Sequence, residues 1–151
     1  MAEKVHLVRM ALQQQWICDV VDTAETRTAL EALGFTIAGT AEGFLIASGN
    51  EAIAEYVMAR SNSLGVIEVG ILYGYAPAAV VAFADGTTTE ANQPWPTTTG
   101  QYFLGGRTSE AFGLRERALM DEQWGEIAQR APAIAALAEL AFAESERTRA
   151  A

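Results

Sequence analysis

Glu68 is the side chain with the clearest capacity for acid–base chemistry, because it is the only charge within residues 64–84. Read as a strand over residues 66–73, that segment puts Glu68 on the face opposite Ile67, Val69 and Ile71. If this face is covered, the carboxyl is buried, its pKa rises and it suits a general acid or base. If the face is open, Glu68 is the polar half of an alternating strand. Tyr73 and Tyr75 lie just beyond and would line the same pocket. His6 completes the set an enzyme would draw on. His6 and Cys18 are the chain's only His and Cys, and could form a thiolate–imidazole pair if they met in space. The neighbours Trp16, Ile17 and Val20 make Cys18 read instead as a small buried hydrophobe. Asp19, Asp22 and Glu25 resemble a carboxylate cluster for a divalent ion. At i, i+3, i+6 of a helix, however, they spread over more than half the circumference and do not converge. No metal and no cofactor is therefore expected.

Two motifs bear on nucleotide chemistry. Residues 100–108 (GQYFLGGRT) hold the two glycines of a P-loop at the right separation, but an extra glycine intrudes and Arg107 stands in place of Lys. These glycines read better as the turn into a C-terminal helix. Gly43-Phe44-Leu45-Ile46-Ala47, followed by Glu51, Ala54 and Tyr56, is similar to the strand-then-helix block of ADP-ribosyltransferase folds. That resemblance covers about 15 residues, which a generic β-α unit also explains. It implies a His or Arg on an early strand, offered by His6 or Arg9, and a late catalytic glutamate, offered by Glu68 or Glu90.

For recognition rather than catalysis, the candidate is Pro94-Trp95-Pro96. Two prolines lower the ordering cost of binding, and Trp is a common interface anchor; the alternative is a Trp that folds back on the core. Trp124, Leu137 and Leu140 of the C-terminal segment are further contact candidates.

The elements that must position these residues follow from periodicity and caps. Residues 5–12 read as a first strand, with a helix running through Gln13-Gln14-Gln15 as the alternative. Asp22 with Glu25 has capping-box spacing, and Gly34 suits a helix end, so a helix is expected over 22–33. Phe35 and Ile37 alternate, as do Phe44 and Ile46 after a turn near 39–43: a hairpin. Asn50 caps a helix reaching Arg60. Strands at 66–73 and 79–84, joined by a turn at 74–77, complete a β-α-β-β-α-β order plus one strand over residues 4–84. That is the ferredoxin-like pattern of an α+β fold. Residues 85–106 form a Thr/Pro/Trp loop or a hairpin with its tip near 92–96. Residues 107–151 are helical, with Met120, Trp124, Ile127 and Ala131 in one stripe and Pro132 starting a second helix. Seven of residues 131–143 are Ala and Glu139 is the only charge there, so this helix is expected to bury several sides. One domain, 1–151, is expected.

Composition narrows the function. The chain has 151 residues, 10 basic against 19 acidic side chains, a net charge of -9 and 50% hydrophobic residues. It is long and apolar enough for a core. The acidity argues against direct nucleic-acid binding, which needs Lys and Arg. One Cys excludes an internal disulfide framework. The acids concentrate early: residues 1–106 carry 11 acids and 4 bases, residues 107–151 carry 8 and 6. Residues 64–84 have the length of a membrane span, but their glycines, Pro77 and Glu68 speak for two buried strands, so no membrane association is expected. Met1 to Val8 has charges and no signal-length apolar run, which points to a cytoplasmic protein. The expected function is a non-enzymatic protein–protein binding or assembly module with an acidic surface, a homo-oligomer and a partner of basic proteins, with inhibition of a basic partner as one form. The alternative is a small-molecule enzyme or ligand-binding domain with a pocket on the sheet.

Overall fold

In the computed structural model, which describes residues 1–60, 63–88 and 95–151, the chain is α+β. In order, its elements are α1 (Ala2–Ala11), β1 (Ile17–Val21), α2 (Ala24–Ala32), β2 (Thr36–Ala41), β3 (Phe44–Ser48), α3 (Glu51–Ala59), α4 (Val66–Leu72), α5 (Pro77–Ala84), α6 (Thr99–Leu104), α7 (Gly113–Arg130) and α8 (Pro132–Ala150). They fall into two compact units, Arg9–Tyr75 and the combination of Met1–Val8 with Ala76–Ala151.

The unit Arg9–Tyr75 is built on an antiparallel sheet of order β1-β3-β2. Glu42 and Gly43 both take positive φ, 49° and 86°. That matches the two-residue turn whose twist suits a hairpin, so β2 and β3 pair directly. β1 pairs along the other edge of β3, from Ile17 opposite Ser48 to Val21 opposite Phe44. Both sheet faces contribute buried apolar residues. Cys18, Val20, Leu45 and Ala47 are buried on one. On the other, Ile17, Ala38, Ala54 and Val57 form a core with Ile46, Leu72 and Tyr73 against it. Thr23 and Asn50 cap α2 and α3, accepting from the N–H groups of Thr26 and Ile53. Both helices thus lie within the expected spans, with Thr23 rather than Asp22 as the first cap. Asp22 instead holds Arg27 through two hydrogen bonds of 2.7 and 2.8 Å.

The other unit contains the C-terminal helices. Trp124 and Ile127 of α7 and Ala135 and Ala138 of α8 are buried. The α6 helix packs on α7, with the Phe103 and Trp124 rings stacked at 6.0 Å. Gly100 makes this approach possible: a Cβ there would stand 2.7 Å from the Trp124 Cβ. The seam is also polar. Gln101 is buried; it donates to Asp121 at 3.0 Å and accepts from Arg117 at 2.9 Å.

Three expected strands are helices. Residues 5–12 lie in or just beyond α1, where Glu3 in the first turn and Arg9 in the last complement the helix dipole. Residues 66–73 form α4 and its C-cap. Glu68 at the third helical position accepts from the Gly65 N–H at 3.2 Å, a cap a strand has no use for. The period-two run Ile67, Val69, Ile71, Tyr73 is split in α4, which turns Val69, Leu72 and Tyr73 inward and leaves Val66, Ile67 and Ile71 exposed. Residues 79–84 lie in α5, which starts with Pro77 at its first turn. The ferredoxin-like sheet with its added strand, five strands in all, is therefore replaced, among the described residues, by three strands in the order β1-β3-β2. Thr98 starts α6 by accepting from the Gln101 N–H, where a Thr/Pro/Trp loop or hairpin was expected. The expected hairpin tip falls largely on residues 89–94, outside the described residues. No helix among the described residues is long and apolar enough to cross a membrane.

Candidate functional site

The α5 helix is apolar along its whole length and buries Ala79, Val80 and Ala82. Pro77, Ala78, Val81, Ala82 and Asp85 recur at i, i+1, i+4, i+5 and i+8, one face of a helix. Facing them runs a chain segment that closes an open groove of about 520 Å³, its other wall formed by Thr87, Ser109, Glu110, Ala111 and Phe112. The lining includes the apolar Val81 and Phe112, both about half exposed. Two acids, Asp85 and Glu110, also line it, and the described residues lining the groove include no base. Arg107 is nearby in sequence, but its guanidinium lies over the Phe83 ring at 5.0 Å. Phe83 follows Val81 by two residues, so it projects from roughly the opposite side of α5.

The second wall is pinned from behind. Ser109 bridges to Thr88, and the Glu110 N–H donates to the Thr87 carbonyl at 3.4 Å. Glu116, in the first turn of α7, is 4% exposed. Its carboxylate accepts from the Ser109 N–H at 2.8 Å and from Ser109 Oγ at 2.9 Å. Ser109 Oγ in turn accepts from the Phe112 N–H at 3.1 Å. A buried carboxylate thus orders the wall that presents Glu110 and Phe112.

The residues singled out for catalysis divide between the two units, His6 in one and Glu68, Tyr73 and Tyr75 in the other. Glu68 lies at the start of α4, not mid-strand, and is partly exposed; Tyr56 and Arg60 donate to it at 3.2 and 3.3 Å. It is a helix-capping, ion-paired carboxylate, not a buried acid. Tyr73 ends α4 and donates to Asp19 on β1; Tyr75 is exposed. His6 is half-buried on α1, in a different unit from Cys18, which is wholly buried on β1. Neither His6 nor Arg9 is on an early strand, since both belong to α1; Glu90 lies outside the described residues. The strand and helix of the ADP-ribosyltransferase-like block form, as β3 and α3, without that placement of partners. Residues 99–104 are helical rather than a phosphate-binding loop. Among the described residues no group of three or more His, Cys, Asp or Glu could hold a metal.

Burial, and then the hydrogen bond to Asp19, raise the Tyr73 phenol above the ordinary tyrosine value of about 10. A group whose pKa is raised by folding stabilises the fold below its unfolded pKa, and that contribution is lost as pH climbs past it. Alkaline titration followed by tyrosinate absorbance should therefore show a phase later than free tyrosine, absent in Tyr73→Phe. Survival of the late phase in the variant would assign it elsewhere.

The recognition candidates divide. Trp124 is core, stacked on Phe103, and not a surface anchor. Leu137 and Leu140 are exposed, Leu140 at 66%, so α8 is not buried on all sides within its unit. Pro94 lies outside the described residues, and Pro96 is half-buried. Trp95 is 43% exposed and is held by α8: its indole N–H donates to Glu146, and Arg149 lies 5.0 Å over its ring. The ion pair with Arg149 and the indole hydrogen bond keep the Glu146 carboxyl below the usual carboxylate range. The contact should persist as pH falls through the ordinary glutamate range and be lost only below it, which the Trp95 indole N–H resonance would report. Trp95→Ala should change the melting temperature little; a large loss would make Trp95 a core residue.

The groove residues Asp85, Glu110 and Phe112 escaped sequence reasoning. The available signal was Pro77, whose spacing to Val81 and Asp85 is helical once proline is taken as a helix start. No protein-family model, curated protein or solved structure matches the chain.

Proposed function

We propose that the chain is a non-enzymatic protein-binding module whose groove along α5 receives a basic, apolar segment of a partner protein. One observation carries this reading: the groove's described lining combines half-exposed apolar residues, Val81 and Phe112, with two acids, Asp85 and Glu110, and no base. Complementary charge in such a site contributes to specificity and speeds encounter. The net charge of -9 acts in the same direction at longer range. An inhibitor that occupies a basic partner's site is one form of the reading. A self-associating form would use the exposed Leu137 and Leu140 of α8, and a single-chain mass by light scattering at all concentrations would remove it.

The test is a titration of isotope-labelled protein with two capped dipeptides, leucyl-lysine and leucyl-glutamate. Saturable amide shifts confined to residues 77–87 and 109–112, for the lysine peptide alone, are the expected result. Shifts scattered over the surface, or equal for both peptides, would overturn the reading.

A further inference from the structure

Arg9, in the last turn of α1, carries a charge that is 4% exposed. Burial lowers its pKa from the ordinary arginine value, and the Tyr75 phenol is the neighbouring group that opposes the shift. Among the described residues no carboxylate pairs with it. A guanidinium stays protonated in proteins and has five N–H donors and no acceptor. It cannot relieve burial by giving up its charge as a lysine can. A buried charge left without a partner is strongly unfavourable. The C-terminal end of α1 supplies about half an elementary negative charge at most, so most of the guanidinium is uncompensated.

The donors themselves indicate where a counter-charge would sit. Nε is sealed from solvent and has no acceptor. The terminal nitrogens Nη1 and Nη2 are not sealed in this way, and among the described residues nothing accepts from them. Their planar edge matches two oxygens of a carboxylate or phosphate. Tyr75 belongs to the same unit, is 43% exposed and adds a phenolic donor near the guanidinium. We infer that Arg9 is the binding site of a small oxyanion, a phosphate or a carboxylate held end-on by Nη1 and Nη2, with the Tyr75 phenol as a further donor. A free ion fits better than a partner's acidic side chain, because the opening at so buried a residue admits an ion and not a chain segment. This site is separate from protein binding at the α5 groove, whose residues belong to the other unit. The net charge of -9 repels anions at long range, so binding in the millimolar range is expected.

The experiment uses the full chain in sodium phosphate and in sodium acetate, each against sodium chloride at equal ionic strength. At ten times the dissociation constant, the bound oxyanion should raise the melting temperature by about 2–4 °C over chloride. The Arg9 guanidinium and Tyr75 resonances should shift saturably over the same range. A response to phosphate alone, to acetate alone or to both supports the site and tells which oxyanion it takes. Arg9→Met, apolar and of similar length, should abolish the response and melt no lower than the wild type in chloride, because it removes an uncompensated charge. Arg9→Lys keeps the charge without the planar fork and should bind about tenfold more weakly. Equal melting in all three salts would overturn the inference, as would an undiminished response in Arg9→Met. If Arg9→Met does not fold, Arg9→Lys decides, and an undiminished response there overturns the end-on fork.

Discussion

Gly74→Ala is expected to cost about 2–5 kcal/mol, a large part of a typical domain's stability. Two terms add. Gly74 has φ +77°, a conformation that costs a non-glycine residue ~1–2 kcal/mol. A Cβ there would also run into the Gln14 carbonyl oxygen and stand 3.0 Å from the Gln15 Cβ. The first of these neighbours is backbone, so relief requires main-chain movement, and overpacking of that kind costs ~1–3 kcal/mol. The backbone there is also tied down: the Trp16 N–H donates to the Leu72 carbonyl at 2.8 Å. Gly34 in the same unit supplies the control, because it has φ +71° and a Cβ added there would meet nothing within 4 Å. Gly34→Ala should therefore show the dihedral term alone. Denaturant midpoints for the two variants separate the terms, and equal losses would mean the Gln14 approach contributes nothing.

The second large effect falls on the groove wall. Glu116→Ala leaves the Ser109 N–H and hydroxyl without their acceptor at a buried position, for an expected loss of about 3 kcal/mol. It also removes a first-turn carboxylate from the positive end of α7. Glu116→Gln keeps one acceptor oxygen but turns an NH₂ toward a donor, so an intermediate loss is expected. In both variants the amide resonances of residues 109–112 should move, while those of the three-stranded sheet in the other unit stay in place. A wild-type denaturation midpoint for Glu116→Ala would show that Ser109 is held by its bridge to Thr88 and not by Glu116.

Local chemistry accounts for the elements that were legible in the residues. Thr23 and Asn50 cap the first turns of α2 and α3, Gly34 ends α2 and Glu42-Gly43 turns the hairpin. Each of these acts within a few residues of itself, so the pattern survives without knowledge of the rest of the chain. The α7 and α8 helices are long enough for a 3.6-residue period to be unambiguous, and Pro132 marks the start of the second. Residues 66–84 were not legible in the same way. Short runs of Val, Ile and Ala satisfy a two-residue and a 3.6-residue period almost equally well. The choice fell to the Gly65–Glu68 cap, the Pro77 start and the left-handed Gly74, which together close two short helices where strands were expected. Residues 17–21 were missed for the converse reason, since β1 is defined by pairing with β3, about 27 positions further on.

The candidate site divides along the same line. Composition alone established an acidic chain with a single Cys and a single His, and periodicity placed Leu137 and Leu140 on a helix. Tertiary structure alone decided which acids matter. It paired Glu68 with Arg60 and Tyr56, buried Glu116 behind Ser109, drew Arg107 onto Phe83, and left Asp85 and Glu110 facing one apolar groove. A carboxylate's role depends on the charges and donors within a few ångströms of it, and here those come from residues seven or more positions away, such as Ser109 for Glu116 and Arg60 for Glu68, beyond the single turn that a capping or i,i+4 pattern records.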